Sequence, residues 1–139
     1  MKVLLAVDGS SYTKKMLAYL AAHDMYSSKN EYTAFTAQLV LPTQARTALG
    51  KELVAKYYED EGLRVMNPVK KFLERHKVVP HCTWKIGKPG ELISKIATEG
   101  KFDLIVMGSH GHGALINLVV GSVATEVLAA CKTPVLIVR

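Results

Sequence analysis

Residues 107–122 read MGSHGHGALINLVVGS. They continue an apolar run that starts at Phe102, and they lead into a helix-like segment that extends from about Gly121 to Ala130. A short apolar run that stops at glycine has the pattern of a strand buried on both faces. The stretch is therefore a strand-to-helix connection, and the same alternation repeats toward both ends of the chain. Residues 2–7 (KVLLAV) form a first buried strand. Asp8-Gly9-Ser10-Ser11 then supplies turn and N-cap chemistry, and Met16, Leu17, Leu20 and Ala21 follow at helical spacing. Residues 33–41 (TAFTAQLVL), stopped by Pro42, form a second strand, and residues 42–49 read as loop. Segment 50–76 carries Tyr58, Val65, Val69 and Phe72 on one helical stripe, with Pro68 expected to kink or break it. Residues 78–86 read as a third strand despite Pro80, 87–90 as a turn, 91–99 as a short helix and 135–138 as a fifth strand.

Strands alternating with helices over 139 residues predict one domain, residues 1–139. Its fold class is α/β, an open, Rossmann-like parallel sheet with helices on both faces. In such sheets ligands bind beyond the carboxyl ends of the strands, where the winding reverses. That directs attention to two loops, one at Asp8 and one at Gly108.

Composition narrows the function classes. Hydrophobic residues make up 49% and charged residues 22%, which is ordinary for a globular chain and argues against disorder. The opening MKVLLAVDGSSY is too short for a signal-peptide core, and no apolar run reaches the length of a membrane span. A cytoplasmic protein without membrane contact is expected. Cys82 and Cys131 have no metal-ligand spacing and read as reduced core thiols. The net charge of +6 is spread along the chain, with one dense group (Lys70, Lys71, Arg75, Lys77) that reads as a solvated helix face, so nucleic acid is not the expected partner.

The glycine stretch fits neither of two familiar phosphate loops. A dinucleotide fingerprint needs G-x-G-x-x-G, and a Walker A loop needs a Gly-Lys pair, whereas Gly113 is followed by Ala114. What is present is Gly108, two residues, Gly111, nine residues, then Gly121-Ser122 at a helix start. Glycines let backbone N–H groups approach an anion and permit positive φ. A helix start adds unpaired amides and a partial positive charge. Charge-assisted hydrogen bonds contribute roughly 1.5–3 kcal/mol each. Three or four give micromolar binding, about 8 kcal/mol, after ordering costs. Plain surface turns are the alternative use of such glycines. Asp8, just past a strand end, has two readings: acceptor for ribose hydroxyls, or helix cap. His110 and His112 alternate with glycines, and an exposed, solvated position is expected for both.

These residues carry a resemblance. Gly108, Gly111, Gly121 and Ser122 match the G-2x-G-9x-G-[ST] motif of the ATP-binding branch of the universal stress protein family. KVLLAVDGS, DLIVMGSHG and TPVLIV resemble that family's first, fourth and fifth strand segments, in order along the chain. The resemblance implies a five-stranded sheet of order 3-2-1-4-5, of the adenine nucleotide α-hydrolase-like type. It implies that Ala6, Val7 and Asp8 lie near adenine and ribose, with the backbone of Leu39 or Val40 at the adenine edge. Met107 and Gly108 would flank the ribose, and Gly111, Gly121, Ser122 and Val123 would hold phosphates, with His112 beside them. The ligand implied is ATP, ADP or AMP, with Mg²⁺ held through the phosphates and by Ser122.

The loop contains no lysine or arginine to neutralise a transferring phosphoryl group, and no nucleophile elbow or HExxH occurs elsewhere. A nucleotide-binding regulatory module with slow or incidental hydrolysis is therefore the expected function. A weak ATPase or phosphotransferase using His110 or His112, and a nucleotide-independent dimeric interaction module, are the alternatives. Strand five would be a sheet edge, short and apolar, and an uncovered edge of that kind invites pairing. Family members commonly dimerise there, so a homodimer through residues 135–138 is expected.

Overall fold

The computed structural model describes residues 1–113 and 117–139; residues 114–116, inside the glycine stretch, lie outside that description. Five strands, β1 (Lys2–Ala6), β2 (Glu31–Gln38), β3 (His81–Ile86), β4 (Leu104–Gly108) and β5 (Val135–Val138), form one all-parallel sheet of order β3-β2-β1-β4-β5. Alternate residues of each strand point to opposite faces, which divides the core in two. On one face Val3, Leu5, Ala34 and Val106 pack with Met16 and Leu20 of α1 (Ser11–Ala22) and with Val65, Val69 and Leu73 of α3 (Lys51–Arg75). On the other face Leu4, Phe35, Ile105 and Met107 pack with Ile93 and Ala97 of α4 (Pro89–Glu99) and with Ala124 and Val127 of α5 (Ser122–Ala130).

Several boundaries differ from the sequence reading. Residues 42–49 are not a loop: Thr43–Leu49 is helix α2, which buries no residue. It therefore lacks the apolar stripe by which a helix is recognised, and Gly50, at φ +81°, separates it from α3. Helix α3 runs unbroken through Pro68, whose ring is exposed. Gly62 and Val65 before the proline and Val69 and Leu73 after it are all buried, so packing on the sheet offsets the lost backbone bond. At Gly62 a Cβ would stand 2.4 Å from the Trp84 indole of β3, so the helix can approach that edge strand only through glycine. Strand β3 starts after Pro80, and α4 takes Pro89 as its opening residue, the position where a missing N–H costs nothing. Strand β2 ends at Gln38, leaving Leu39 and Val40 beyond it, both exposed.

Candidate functional site

From β1 the chain turns to the α1/α3 face, and from the neighbouring β4 it turns to the α4/α5 face. Between these two departures lies a crevice of about 280 Å³. Every residue expected there lines it except Val40. Ala6, Val7 and Asp8 come from the end of β1, Leu39 from beyond β2, and Met107 and Gly108 from the end of β4. Gly111, His112, Gly121, Ser122 and Val123 come from the glycine stretch and the start of α5. The crevice also takes Thr36 and Ala37 from β2 and Pro89 and Ile93 from α4. These four gave no signal in the sequence, because small and apolar residues at the end of a strand or in the first turns of a helix look like core.

Asp8 braces the start of α1 and leaves one oxygen turned toward the glycine stretch. Its Oδ1 accepts from the Ser10 N–H (2.9 Å) and the Thr13 hydroxyl (2.9 Å), while its own N–H donates to Thr13 Oγ1 (3.0 Å). That reciprocal pair fixes the entry to α1, whose N-cap, Ser10, makes no side-chain cap of its own. Oδ2 points the other way, 2.5 Å from where a Cβ on Gly111 would stand. One carboxylate thus braces its own loop with one oxygen and faces the opposite loop with the other.

The glycines of the stretch serve close approach rather than unusual backbone angles. Positive φ occurs at Gly9, Gly50 and Gly87, not at Gly108, Gly111, Gly113 or Gly121, so that expectation is corrected. A Cβ at Gly108 would lie 2.8 Å from Tyr12 Cβ, and one at Gly121 would lie 3.1 Å from the Ser109 carbonyl oxygen. At Gly113 nothing among the described residues lies within 4 Å. The Gly121 N–H is also engaged, donating to Ser109 O at 2.6 Å. The donors at this helix start are therefore the next ones. Ser122, Val123 and Ala124 precede the first turn-closing bond, from the Thr125 N–H to Gly121 O, and so have no partner within the helix.

His112 is exposed as expected and His110 is half-buried, but neither ring is without partners. The His112 Nε2–H donates to the Asp8 carbonyl at 2.6 Å, which ties the glycine stretch to the first loop. His110 bonds through both ring nitrogens, to Ser109 Oγ (2.9 Å) and Leu118 O (2.7 Å), and lies against Tyr12 with ring centroids 5.2 Å apart. The nearby cation was missed because it comes from α3. Arg64 Nη1 lies 3.8 Å from the Cβ position of Gly9 and pairs with Glu61 at 2.6 Å. Its guanidinium hydrogen bonds hold the Glu61 carboxyl below the usual range. Among the described residues no group of three or more His, Cys, Asp or Glu could hold a metal ion.

The profile of the Universal stress protein family matches residues 1–139. The chain belongs to the universal stress protein family. It is 32% identical to the universal stress protein MJ0531 of Methanocaldococcus jannaschii, over 99% of this chain and 81% of that protein. The structure of MJ0577, from the same organism, superposes with a TM-score of 0.83 at 29% identity, covering 99% of this chain and 94% of that one. A universal stress protein family member from Arabidopsis thaliana, solved with AMP bound, shares the fold with a TM-score of 0.72 at 16% identity, covering 99% and 90%. The five-stranded order and the flanking helices are thus those of universal stress proteins. No described helix is long and apolar enough to cross a membrane.

Proposed function

We propose that this universal stress protein is a cytoplasmic stress-response module of the family's ATP-binding branch. It takes ATP, ADP or AMP in the crevice and binds it rather than turning it over. The observation that carries this reading is the meeting of two complementary loops at one point. Asp8 Oδ2 faces Gly111, and the amides of Ser122, Val123 and Ala124, which have no partner among the described residues, open on the same crevice. The carboxylate oxygen is an acceptor for ribose hydroxyls, and the helix start favours phosphate. The apolar walls, Ala37, Pro89, Ile93 and Val123, suit the faces of a base. AMP in the Arabidopsis relative supports the choice of adenine. Mg²⁺ would be carried by the phosphates, with the exposed Ser122 hydroxyl as its protein ligand. When bound it neutralises phosphate charge.

Turnover has less support. Both histidines spend their Nε2–H on carbonyl oxygens, and Arg64 is paired with Glu61. Calorimetry with ATP, AMP and GTP in Mg²⁺ tests the reading. Micromolar binding of the adenine nucleotides, with phosphate release well below the roughly 1 s⁻¹ lower bound of kinases, is expected. No adenine-nucleotide heat at millimolar ligand would overturn it.

The same reading includes a homodimer through β5. The Ile105 N–H donates to Pro134 O, and the Ser109 N–H to Val138 O. Even-numbered residues of β5 therefore face β4, and the backbone groups of Val135 and Ile137 point away from the sheet. Glutamate at Leu136 or Ile137 is a poor probe, since both side chains pack on the core clusters. Ile137→Pro removes the outward donor, which edge strands tolerate, and keeps an apolar though smaller side chain against the core, so a thermal melt accompanies it to check the fold. Light scattering is expected to show a dimer for the parent protein and a monomer for Ile137→Pro. A monomeric parent at about ten micromolar, a concentration a specific pair of sheet edges withstands, counts against the dimer.

A further inference from the structure

We infer that His110 is the positioning residue for the phosphate-facing end of the crevice: its ring straps Leu118 to Ser109 across the glycine stretch. The inference rests on the nucleotide-binding reading and names a residue that reading leaves without a role. The carbonyl of Leu118 can only accept, so Nε2 carries the proton. Nδ1 is then the acceptor, and the Ser109 hydroxyl donates to it. Ser109 is 2% exposed and commits every polar group it has. Its N–H goes to Val138 of β5, its carbonyl takes the Gly121 N–H, and its hydroxyl holds His110.

Gly121, the N-cap of α5, is thus fixed from one side by Ser109, and the segment approaching it is fixed by His110. In that segment Val120, next to Gly121, packs against the core cluster of the α4/α5 face, but the two described residues before it do not. Leu118 is 50% and Val119 73% exposed, so burial does not anchor them. Without the strap, the chain entering α5 has more conformations to lose when phosphate binds, and ordering it then opposes binding. The base and ribose end of the crevice, built on β1, β2 and α4, does not depend on the strap. The expected signature is therefore a loss specific to phosphate.

Two amides separate the ring nitrogens. Glutamine places its N–H near the position of Nε2 and keeps the bond to Leu118, whereas asparagine reaches only Ser109. In calorimetry, His110→Asn and His110→Ala should each lose about tenfold in ATP affinity, equivalent to about 1.4 kcal/mol. His110→Gln should stay within about threefold of the parent, and adenosine should bind all variants within about threefold of it. Hydrogen exchange on the unliganded proteins should be faster at amides 117–123 in His110→Asn than in His110→Gln. Parent-like ATP affinity in His110→Asn, or equal losses for ATP and adenosine, would overturn the inference. A parent that binds no nucleotide defeats the binding reading instead. Hydrogen exchange then decides the strap alone, and equal exchange in the Asn and Gln variants removes it.

Discussion

The connection from β1 to α1 runs from Val7 to Ser10, and that from β4 to α5 runs from Ser109 to Gly121. The first is short and closed on itself, with Asp8, Ser10 and Thr13 exchanging bonds within one turn. The second is long and glycine-rich, and it is held from outside: to Asp8 by His112, to β5 by Ser109, and internally by His110. The short loop supplies a fixed acceptor. The long loop supplies donors whose position depends on props. Two loops of opposite construction thus meet at one crevice, and each can be damaged separately.

The largest effect is expected where the long loop touches backbone. In Gly121→Val the new Cβ meets the Ser109 carbonyl oxygen at 3.1 Å and His110 Cα at 3.2 Å, neither of which can swing aside. Overpacking of this kind costs about 1–3 kcal/mol, and the α5 amides shift with it. ATP binding should be lost and the melting temperature should fall, so this variant does not spare the fold. Among the described residues Gly111→Val meets the Asp8 carboxylate alone, at 2.5 Å, and should lose binding at smaller cost in stability. Gly113→Ala meets none of the described residues and should change neither property beyond about 0.5 kcal/mol. Calorimetry and thermal melts on the three variants give the ranking. A Gly113→Ala variant as damaged as Gly121→Val would dissolve the distinction between the glycines.

The short loop yields a pair of separable effects. In Asp8→Asn the oxygen must stay on the side of the Ser10 and Thr13 donors, which forces the amide NH₂ toward the crevice. An acceptor becomes a donor, and ATP affinity should drop about tenfold to a hundredfold. Stability should change little. Thr13→Val does the reverse: it strips the partner from the Asp8 N–H and one of two donors from Oδ1, at a site 5% exposed. It should cost about 1–3 kcal/mol of stability, as an unpartnered buried group does, with a smaller loss of affinity. Equal effects of both variants on both quantities would mean that the two oxygens of Asp8 are not divided in role.

This contrast also explains what could be read from the chain. The strands and the two watched loops follow from apolar runs and glycine spacing, because burial on both faces leaves a strong local signature in Lys2–Ala6 and Leu104–Gly108, whereas the strand order came from the family resemblance. Helix α2 left none, since it buries nothing. Pro68 misled because local propensity says nothing of the sheet beneath α3. In the site, the glycine positions were legible, but the reason for them was not. Close approach to Tyr12, Asp8 and Ser109 depends on residues distant in sequence. The same holds for the histidines, whose partners Asp8 and Leu118 have no fixed spacing, and for Arg64, which arrives from another helix.

Among the substitutions that should weaken binding, the smallest effect is expected at Ser122. Its side chain is exposed at the first position of α5, and its hydroxyl has no recorded partner among the described residues. Ser122→Ala leaves Gly121 as N-cap and leaves the amides of residues 122–124 in place. Fold stability should stay within about 0.5 kcal/mol of the parent. Removing one hydroxyl donor from a phosphate costs roughly 0.5–1.5 kcal/mol, or about a threefold to tenfold loss of affinity. The informative measurement is the same titration with and without Mg²⁺. If the hydroxyl ligates the ion, the gain in ATP affinity on adding Mg²⁺ should shrink in the variant, while metal-free affinity barely changes. If it donates to a phosphate oxygen, both titrations should weaken in proportion. Unchanged affinity in both conditions would remove Ser122 from the site and leave the long loop to act through its backbone alone.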